Sequence, residues 1–215
     1  MRYERQEIFE RIGKKGQALI NNATVVIVGI GALGTHLLDI LARSGIGKIK
    51  IIDRDIVELN NLQRQTLFDE SDIGKPKALA AYEKIKNINS EINVECFAED
   101  LDHDNIALLN SDLILDCTDN MYTRFLINDY SRKNNIPWIY SSVIGDNGMV
   151  MNVTEKTACF SCILNEPNEA LETCDTSGII GYAPGAIAAI QANEAVKILI
   201  NKDYLTLNRG AGMVK

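Results

Sequence analysis

Basic charge and long apolar runs are both scarce in this sequence of 215 residues. Lysine and arginine number 22 against 29 aspartates and glutamates, so the formal net charge is −7 and offers no general basic field to nucleic acid or anionic lipid. No apolar run reaches the roughly 18 residues that a membrane-spanning helix requires. We therefore expect neither a nucleic acid nor a membrane as a partner.

A secretion signal and a disulfide framework are also lacking. Residues 1–15 are strongly charged and contain no apolar core of the kind that a signal peptide needs. The cysteines number five, and an odd count without a signal favours free thiols in a reducing compartment. We therefore expect a cytoplasmic protein. The two histidines, His36 and His103, are isolated in the sequence and receive no predicted role.

Strand-like and helix-like segments, by contrast, alternate along most of the chain. The predicted strands cover residues 23–28, 49–52, 92–97, 113–115, 137–141 and 149–153. Predicted helices occupy parts of residues 4–21, a stretch ending at residue 44, and residues 75–87, 102–109, 121–134 and 182–200. Residues 159–180 show little periodicity and are predicted to form a long loop. This alternation predicts an α/β fold in one domain, residues 1–215: a Rossmann-like, mostly parallel sheet with helices on both faces and an antiparallel extension.

Three glycines stand where the first predicted strand passes into a helix. Gly29 allows a tight turn, Gly31 lets a phosphate or ribose approach the backbone, and Gly34 allows the helix to pack closely on the strand. The helix N-terminus attracts an anion, and Asp53, at the end of the second strand, suits ribose hydroxyls. These features predict a nucleotide site. They do not distinguish ATP from NAD, so an NAD-dependent oxidoreductase is an alternative.

Charged residues farther along the chain favour a triphosphate. Arg64 and Lys77 are cations suited to a triphosphate tail, although the alternative is that they are surface charges. Asp116 and Asp119 stand at the end of a strand, where α/β sheets place their ligands and where a carboxylate beside phosphates can hold Mg²⁺. The alternative for Asp119 or Asn120 is a helix N-cap.

Taken together, these residues resemble the activating-enzyme superfamily that includes the ThiF, MoeB and HesA proteins. The resemblance rests on Arg2-Tyr-Glu-Arg5-Gln6, on the strings GIGALG, DRDIVELNNLQRQ, IGKPK and DCTDN, and on Cys159-Phe-Ser-Cys162. It continues through Leu171-Glu-Thr-Cys174 to Gln191, Glu194 and Lys197 in the last predicted helix, so it covers nearly the whole chain. The NLQRQ and DCTDN strings are its most specific parts.

The resemblance implies a role for individual residues. Relatives hold ATP at the positions of Gly29, Gly31, Ala32, Gly34, Asp53, Asp55, Asn61, Arg64, Gln65, Lys77, Asp119 and Asn120, and many of them have glycine where this chain has Ala32. Asp119 is expected to bind Mg²⁺. Arg5 resembles an arginine that family members donate to the neighbouring subunit, which implies a homodimer. The expected catalytic set is Arg5, Arg64, Lys77 and Asp119, with Cys174 as a further candidate.

The implied reaction is the ATP-dependent adenylation of the C-terminal Gly-Gly carboxylate of a ubiquitin-fold sulfur-carrier protein, ThiS-like or MoaD-like, in thiamine or molybdopterin cofactor biosynthesis. The carboxylate attacks the α-phosphorus of ATP, and it needs no general base because it is ionised at pH 7. A tRNA-modifying dehydratase of the same superfamily is an alternative, against which the net charge of −7 counts. A non-catalytic carrier-binding protein is another, besides the NAD-dependent oxidoreductase.

The cysteines are where this sequence departs from the family pattern. Cys159 and Cys162 resemble half of a structural zinc site whose second CxxC pair does not occur in this sequence. The chain therefore either lacks a C-terminal zinc-ligand segment or binds no zinc. Cys174 stands where some relatives carry a cysteine that becomes covalently linked to the activated carrier, and the alternative is a thiol without function.

Overall fold

Six strands form one sheet in the computed structural model, which describes residues 2–162, 178–202 and 204–205. They are β1 (Thr24–Val28), β2 (Lys48–Ile52), β3 (Asn93–Phe97), β4 (Leu113–Asp116), β5 (Trp138–Ile144) and β6 (Asn147–Val153). Their spatial order is β3-β2-β1-β4-β5-β6, and each neighbouring pair is parallel except β5 and β6, which run antiparallel. The predicted α/β fold, with its antiparallel extension, is confirmed.

Helices lie on both faces of the sheet. They are α1 (Glu4–Ile8), α2 (Gly13–Asn22), α3 (Ala32–Ser44), α4 (Lys77–Ile88), α5 (Met121–Asn134) and α6 (Ala183–Leu199). Helices α3, α4 and α6 pack into one apolar core, whereas α5 packs into a second core with the aromatic residues of β5. Among the helices in the described part of the chain, none combines the length and the apolarity needed to span a bilayer.

Strand β1 shows why a continuous apolar run is required at the centre of this sheet. Val25 and Ile27 belong to the core on one face, whereas Val26 and Val28 belong to the core on the other. A parallel strand covered by helices on both faces has no solvent side, so its sequence does not alternate between apolar and polar residues. The β-branched side chains also suit the pleated backbone.

The register of the central strands determines where the candidate site lies. Val28, the last residue of β1, is level with Ile52 in β2 and with Asp116 in β4. The glycine-rich turn, Asp53 and the DCTDN string therefore leave the sheet at the same carboxyl edge. In open α/β sheets this edge, beside the strand where the order reverses, is the usual ligand site.

Some element boundaries differ from those predicted. Residues 102–109 contain only a 3₁₀ turn, Ile106–Leu109, because side-chain hydrogen bonds of Asp102 and Asn105 to nearby backbone N–H groups favour turns over a helix. Strand β5 continues to Ile144, because residues 141–144 pair with β6 across a turn at Gly145, where φ is 62°. In the predicted loop, Ile179 forms a β-bridge with Gly145. Residues 163–177 lie outside the described residues.

Candidate functional site

The glycine-rich turn brings backbone very close to backbone. Gly29 has a φ of 91°, and a β-carbon there would lie 2.7 Å from the carbonyl oxygen of Cys117. A β-carbon on Gly34 would lie 2.0 Å from the carbonyl oxygen of Gly29, so α3 can pack against the turn only with glycine at this position. At Gly31 a β-carbon would meet only the Gln65 amide, at 4.0 Å. The N-terminus of α3 therefore faces open space.

Asp53 connects the end of β2 to this turn. Its carboxylate accepts a hydrogen bond from the backbone N–H of Ile30 at 2.5 Å and another from the N–H of Asp55 at 2.8 Å. Burial raises the pKa of the Asp53 carboxyl, while the Ile30 hydrogen bond and the charge of Lys77 act in the opposite direction. The two backbone bonds hold the carboxylate beside the glycine-rich turn and leave lone pairs for ligand hydroxyls.

A cavity of about 930 Å³ opens in front of these groups. Most of the residues predicted to hold ATP line it: Gly29, Gly31, Ala32, Asp53, Asp55, Asn61, Arg64, Gln65, Lys77, Asp119 and Asn120. Gly34 lies behind the turn instead, in contact with Gly29. The volume is within the range of roughly 300–1,000 Å³ that small-molecule sites occupy.

Lys77 is the first residue of α4, and its side chain is only 8% exposed. The ammonium donates to Asp55 Oδ2 at 2.9 Å, and the backbone N–H of Lys77 donates to the Asp55 carbonyl oxygen at 2.8 Å. Asp55 is also within 3.6 Å of Arg54. A buried cation with one exposed carboxylate as its counterion can exchange that partner for a ligand phosphate.

The segment between β2 and α4 carries the other predicted cation and a buried amide. Arg64 donates to the backbone carbonyl of Asn60 at 2.8 Å, and Asn61 accepts from the N–H of Glu58 at 3.1 Å in a capping box. Gln65 is 3% exposed, and its side-chain oxygen is buried without a hydrogen-bond partner in the described structure. The amide nitrogen is the Gln65 atom nearest to Gly31, so Gln65 offers the cavity a hydrogen-bond donor.

The structure assigns different roles to the polar residues after β4. Asn120 is the N-cap of α5, since its Oδ1 accepts from the N–H of Thr123 at 2.8 Å. Asp116 is fully buried and bonds to the N–H and hydroxyl of Thr118 at 2.8 and 2.7 Å. Asp119 is exposed at the rim of the cavity. Of the carboxylates considered for a metal, Asp119 is therefore the one that a phosphate-bound cation can reach.

Arg124 is a cavity residue that the sequence analysis missed. It is 8% exposed, its Nε lies 3.4 Å from Asp116 Oδ2, and it donates to the carbonyl of Thr118 at 2.6 Å. Its guanidinium also lies 5.0 Å from the centroid of the Tyr140 ring. Burial raises the pKa of the Asp116 carboxyl, and the charge of Arg124 opposes this rise. The sequence could have indicated Arg124 through Asp116, because a carboxylate at the end of a buried strand needs a cation as its partner.

Of the remaining predicted site residues, Arg5, Cys159 and Cys162 do not line the cavity. Arg5 is exposed on α1 and does not line the cavity of its own protomer, so its predicted role requires a second copy of the chain. Cys159 precedes the 3₁₀ turn Phe160–Cys162, which ends with the second cysteine, and Cys174 lies outside the described residues. Burial, followed by the Cys162 thiol, raises the pKa of Cys159, which disfavours a reactive thiolate.

A zinc site would need further ligands near the Cys159–Cys162 pair. Within residues 2–162, 178–202 and 204–205, no group of three or more histidine, cysteine, aspartate or glutamate side chains could hold a metal ion. Two thiolates do not complete a tetrahedral zinc site. The described residues alone therefore do not fit a structural zinc, whereas a Mg²⁺ held largely by phosphates needs only one or two carboxylates.

Comparison with known proteins relates this geometry to a family. Residues 3–211 match the ThiF family. The chain is 41% identical over 207 residues to the sulfur carrier protein ThiS adenylyltransferase of Bacillus subtilis (strain 168), a match that covers 94% of this chain and 62% of that protein. The corresponding protein of Escherichia coli (strain K12) is 36% identical over 203 residues, which cover 93% of this chain and 81% of that protein.

Solved structures give the same relationship. Escherichia coli MccB in complex with ATP has a TM-score of 0.83 and 27% identity, with 95% of this chain and 65% of that chain covered. MccB with MccA-N7isoASN has a TM-score of 0.84 at 27% identity, with 95% and 66% covered. The chain thus spans 62% of the length of its Bacillus subtilis relative and about two thirds of MccB. Together with the family match over residues 3–211, these similarities show that the chain belongs to the ThiF family.

Proposed function

We propose that this chain is an adenylyltransferase that transfers AMP from ATP to the C-terminal carboxylate of a ubiquitin-fold sulfur-carrier protein. The observation that carries the proposal is the convergence of the glycine-rich turn, Asp53, two cations and an exposed carboxylate in one cavity of about 930 Å³. The relatives named as sulfur carrier protein adenylyltransferases support the same reaction. We further propose that residues 1–215 act as one adenylation domain in the cytoplasm.

The walls of the cavity provide groups that can bind the ribose and a phosphate of ATP. Asp53 is placed to accept hydrogen bonds from ribose hydroxyls, and the amide nitrogen of Gln65, near Gly31, provides a donor. The open space over Gly31 lets a phosphate reach the N-terminus of α3, where unpaired N–H groups and the helix dipole stabilise negative charge. The buried cation Lys77 in the cavity wall favours a triphosphate over the dinucleotide of an NAD-dependent oxidoreductase.

The charged residues account for the phosphates and the leaving group. An oxygen of the carrier carboxylate attacks the α-phosphorus, a new O–P bond forms, and the bond from the α-phosphorus to its bridging oxygen breaks as pyrophosphate leaves. Arg64 and Lys77 stabilise the charge that moves onto the pyrophosphate. Asp119 would hold Mg²⁺, which would supply further neutralisation of that charge. Arg5 of a second copy completes the set, so the proposed unit is a homodimer.

The carrier is proposed to be ThiS-like or MoaD-like, and the two choices correspond to thiamine and molybdopterin cofactor biosynthesis. Cys174 stays a proposed site of covalent linkage to the activated carrier. Zinc binding by Cys159 and Cys162 stays a proposal that depends on ligands beyond the described residues. None of these finer assignments is needed for the adenylation step itself.

Exchange of labelled pyrophosphate into ATP tests the proposal directly. The purified chain is assayed with a ThiS-like and a MoaD-like carrier, each with an intact tail and with the Gly-Gly tail deleted. We expect exchange with one intact carrier and none with its truncated form. Binding of ATP without exchange for either carrier would point to another carboxylate substrate, and binding of NADH in place of ATP would contradict the proposal.

A matched pair of carboxylate variants tests the role of Asp119. Asp119→Asn removes the charge at the rim of the cavity and is expected to reduce exchange by at least about 100-fold, an effect of the size that loss of a charge-stabilising group causes. Asp129→Asn removes another exposed carboxylate from the neighbouring helix, away from the cavity, and is expected to leave exchange unchanged. Equal activity of both variants would rule out the metal role of Asp119.

A further inference from the structure

The segment that carries Arg64 and Gln65 packs between two helices that approach it from different parts of the chain. On one side lies α3, the helix that begins at the glycine-rich turn. On the other lies residue range 178–185, which leads into α6. The backbone of the segment is held locally by hydrogen bonds from the N–H groups of Arg64 and Gln65 to the carbonyl of Asn61, at 3.0 and 2.9 Å.

His36 makes the contact from α3. Its Nδ1 lies 3.3 Å from the hydroxyl of Thr66, within hydrogen-bonding distance, and its Nε2 is buried without a partner in the described structure. Burial lowers the pKa of the imidazole, against opposing effects of the Arg64 backbone and the Asp39 carboxylate, so the ring is neutral at neutral pH. The Thr66 contact and the burial of Nε2 restrict the orientation of the ring.

Two glycines make room for this arrangement on the α6 side. A β-carbon on Gly185 would lie 3.2 Å from Cε1 and 3.3 Å from Nδ1 of His36, so the first turn of α6 lies directly against the imidazole. A β-carbon on Gly181 would lie 2.7 Å from the carbonyl oxygen of Gln63. The Gln63–Thr66 segment is therefore in close contact with Gly181, just before α6, while His36 contacts Thr66, the last residue of the segment.

We propose that His36 is a positioning residue that holds the Gln63–Thr66 segment, and with it Arg64 and Gln65, in the orientation that presents them to the phosphates and ribose of ATP. The proposal rests on the proposed function for its consequence in ATP binding, but the contact itself can be tested without ATP. The essential feature is a polar bond to Thr66. A side chain that only fills the space between α3 and α6 does not make that bond.

Four variants distinguish a His36 that positions the Gln63–Thr66 segment from a His36 that only fills the space between α3 and α6. His36→Gln keeps a side chain that can bond to Thr66, whereas His36→Leu fills the space without bonding. Thr66→Val removes the other partner of the same contact at a site that is not part of the core. His103→Gln changes the only other histidine of the chain, which is exposed and stacks edge-on against Tyr122, and serves as the matched control.

The first readout is hydrogen exchange at the backbone amides of Arg64, Gln65 and Phe68, with total stability measured in parallel. We expect exchange about fivefold faster in His36→Leu and in Thr66→Val, the change expected from the loss of one net hydrogen bond. His36→Gln and His103→Gln are expected to exchange at the wild-type rate. Unchanged exchange in both His36→Leu and Thr66→Val would overturn the proposal.

The second readout is the dissociation constant of ATP in the presence of Mg²⁺, compared with kcat for pyrophosphate exchange. We expect ATP binding to weaken about fivefold in His36→Leu and Thr66→Val, with kcat also lowered because Arg64 stabilises the leaving pyrophosphate, and with both values restored in His36→Gln. Faster hydrogen exchange at these backbone amides together with an unaltered affinity for ATP would overturn the positioning role of His36. If the wild-type chain binds no ATP while the amides respond as expected, the contact is supported and the proposed function is contradicted.

Discussion

The buried pair of Asp116 and Arg124 shows how a single ion pair can support the wall of the cavity. Side-chain exposure is 0% for Asp116 and 10% for Arg124. A pair so removed from water contributes little net stability compared with apolar residues, but removal of one partner leaves a buried charge uncompensated. Arg124 also holds the carbonyl of Thr118, the residue that precedes Asp119. Its loss should therefore affect both folding and the rim of the cavity.

We expect Arg124→Met to lower the free energy of unfolding by about 3 kcal/mol, because Asp116 then stays buried without its cation. Urea denaturation measures the change. In the double variant with Asp116→Asn, part of the loss should be recovered. Arg43→Met breaks an exposed pair with Asp39 and is expected to cost less than about 1 kcal/mol. An equal loss of unfolding free energy in Arg124→Met and Arg43→Met would show that burial of the ion pair does not determine the cost of breaking it.

At the scale of secondary structure, the approach of α3 to the end of β1 depends on one missing side chain. The β-carbon of Gly34→Ala would lie 2.0 Å from the Gly29 carbonyl oxygen, so the helix must shift away from the turn. We expect a loss of about 2–3 kcal/mol in the free energy of unfolding, as in other overpacked sites. At Gly31→Ala the methyl group faces the cavity, so ATP binding should suffer more than stability. Thermal unfolding measures the stability of both variants, and titration with ATP measures their affinity for the nucleotide.

A charged cluster next to α4 closes the loop that carries Arg64. Lys84 bonds to both Asp69 and Asp72, and Lys75 bonds to Asp72. The Lys84 and Ser71 hydrogen bonds lower the pKa of Asp69 to about 2. Burial alone would raise the pKa of Asp72, but hydrogen bonds from Lys84, the Asp69 N–H and Lys75 outweigh it and leave the pKa lowered.

These lowered pKa values predict how stability depends on pH. A carboxylate with a folded-state pKa below its unfolded value stabilises the protein above the unfolded pKa, and this contribution is lost as pH falls through the folded pKa. The difference in thermal unfolding midpoint between the wild type and Lys84→Met should thus shrink as pH falls from about 5 towards about 2. Lys86→Met, on the same helix and beside Tyr82, should show no such trend. A constant difference would exclude the ion pairs as its cause.

At the scale of the whole molecule, periodicity and turn residues were enough to predict the sheet, its antiparallel extension and the edge where the cavity opens. Residues adjacent in sequence to strand ends, such as Asp53 and Asp119, could be placed because the register of parallel strands brings those ends together. His36 and Arg124 could not be placed, because their partners, Thr66 and Asp116, come from other elements. Only tertiary packing shows that His36 reaches the Arg64 segment.

The position of Arg5 leads to a prediction about assembly. Arg5 is exposed and lies outside its own cavity, so a site completed by Arg5 must borrow it from a second copy. Arg5→Ala and Asp119→Asn should each be inactive in pyrophosphate exchange. Mixed dimers formed by co-expression should regain activity, because an Arg5→Ala protomer keeps Asp119 and receives Arg5 from its partner. Random pairing should restore about one quarter of the wild-type sites.

Arg64→Ala mixed with Asp119→Asn should restore none, because both residues line the same cavity. Equal results for the two mixtures would mean that Arg5 does not act across a dimer.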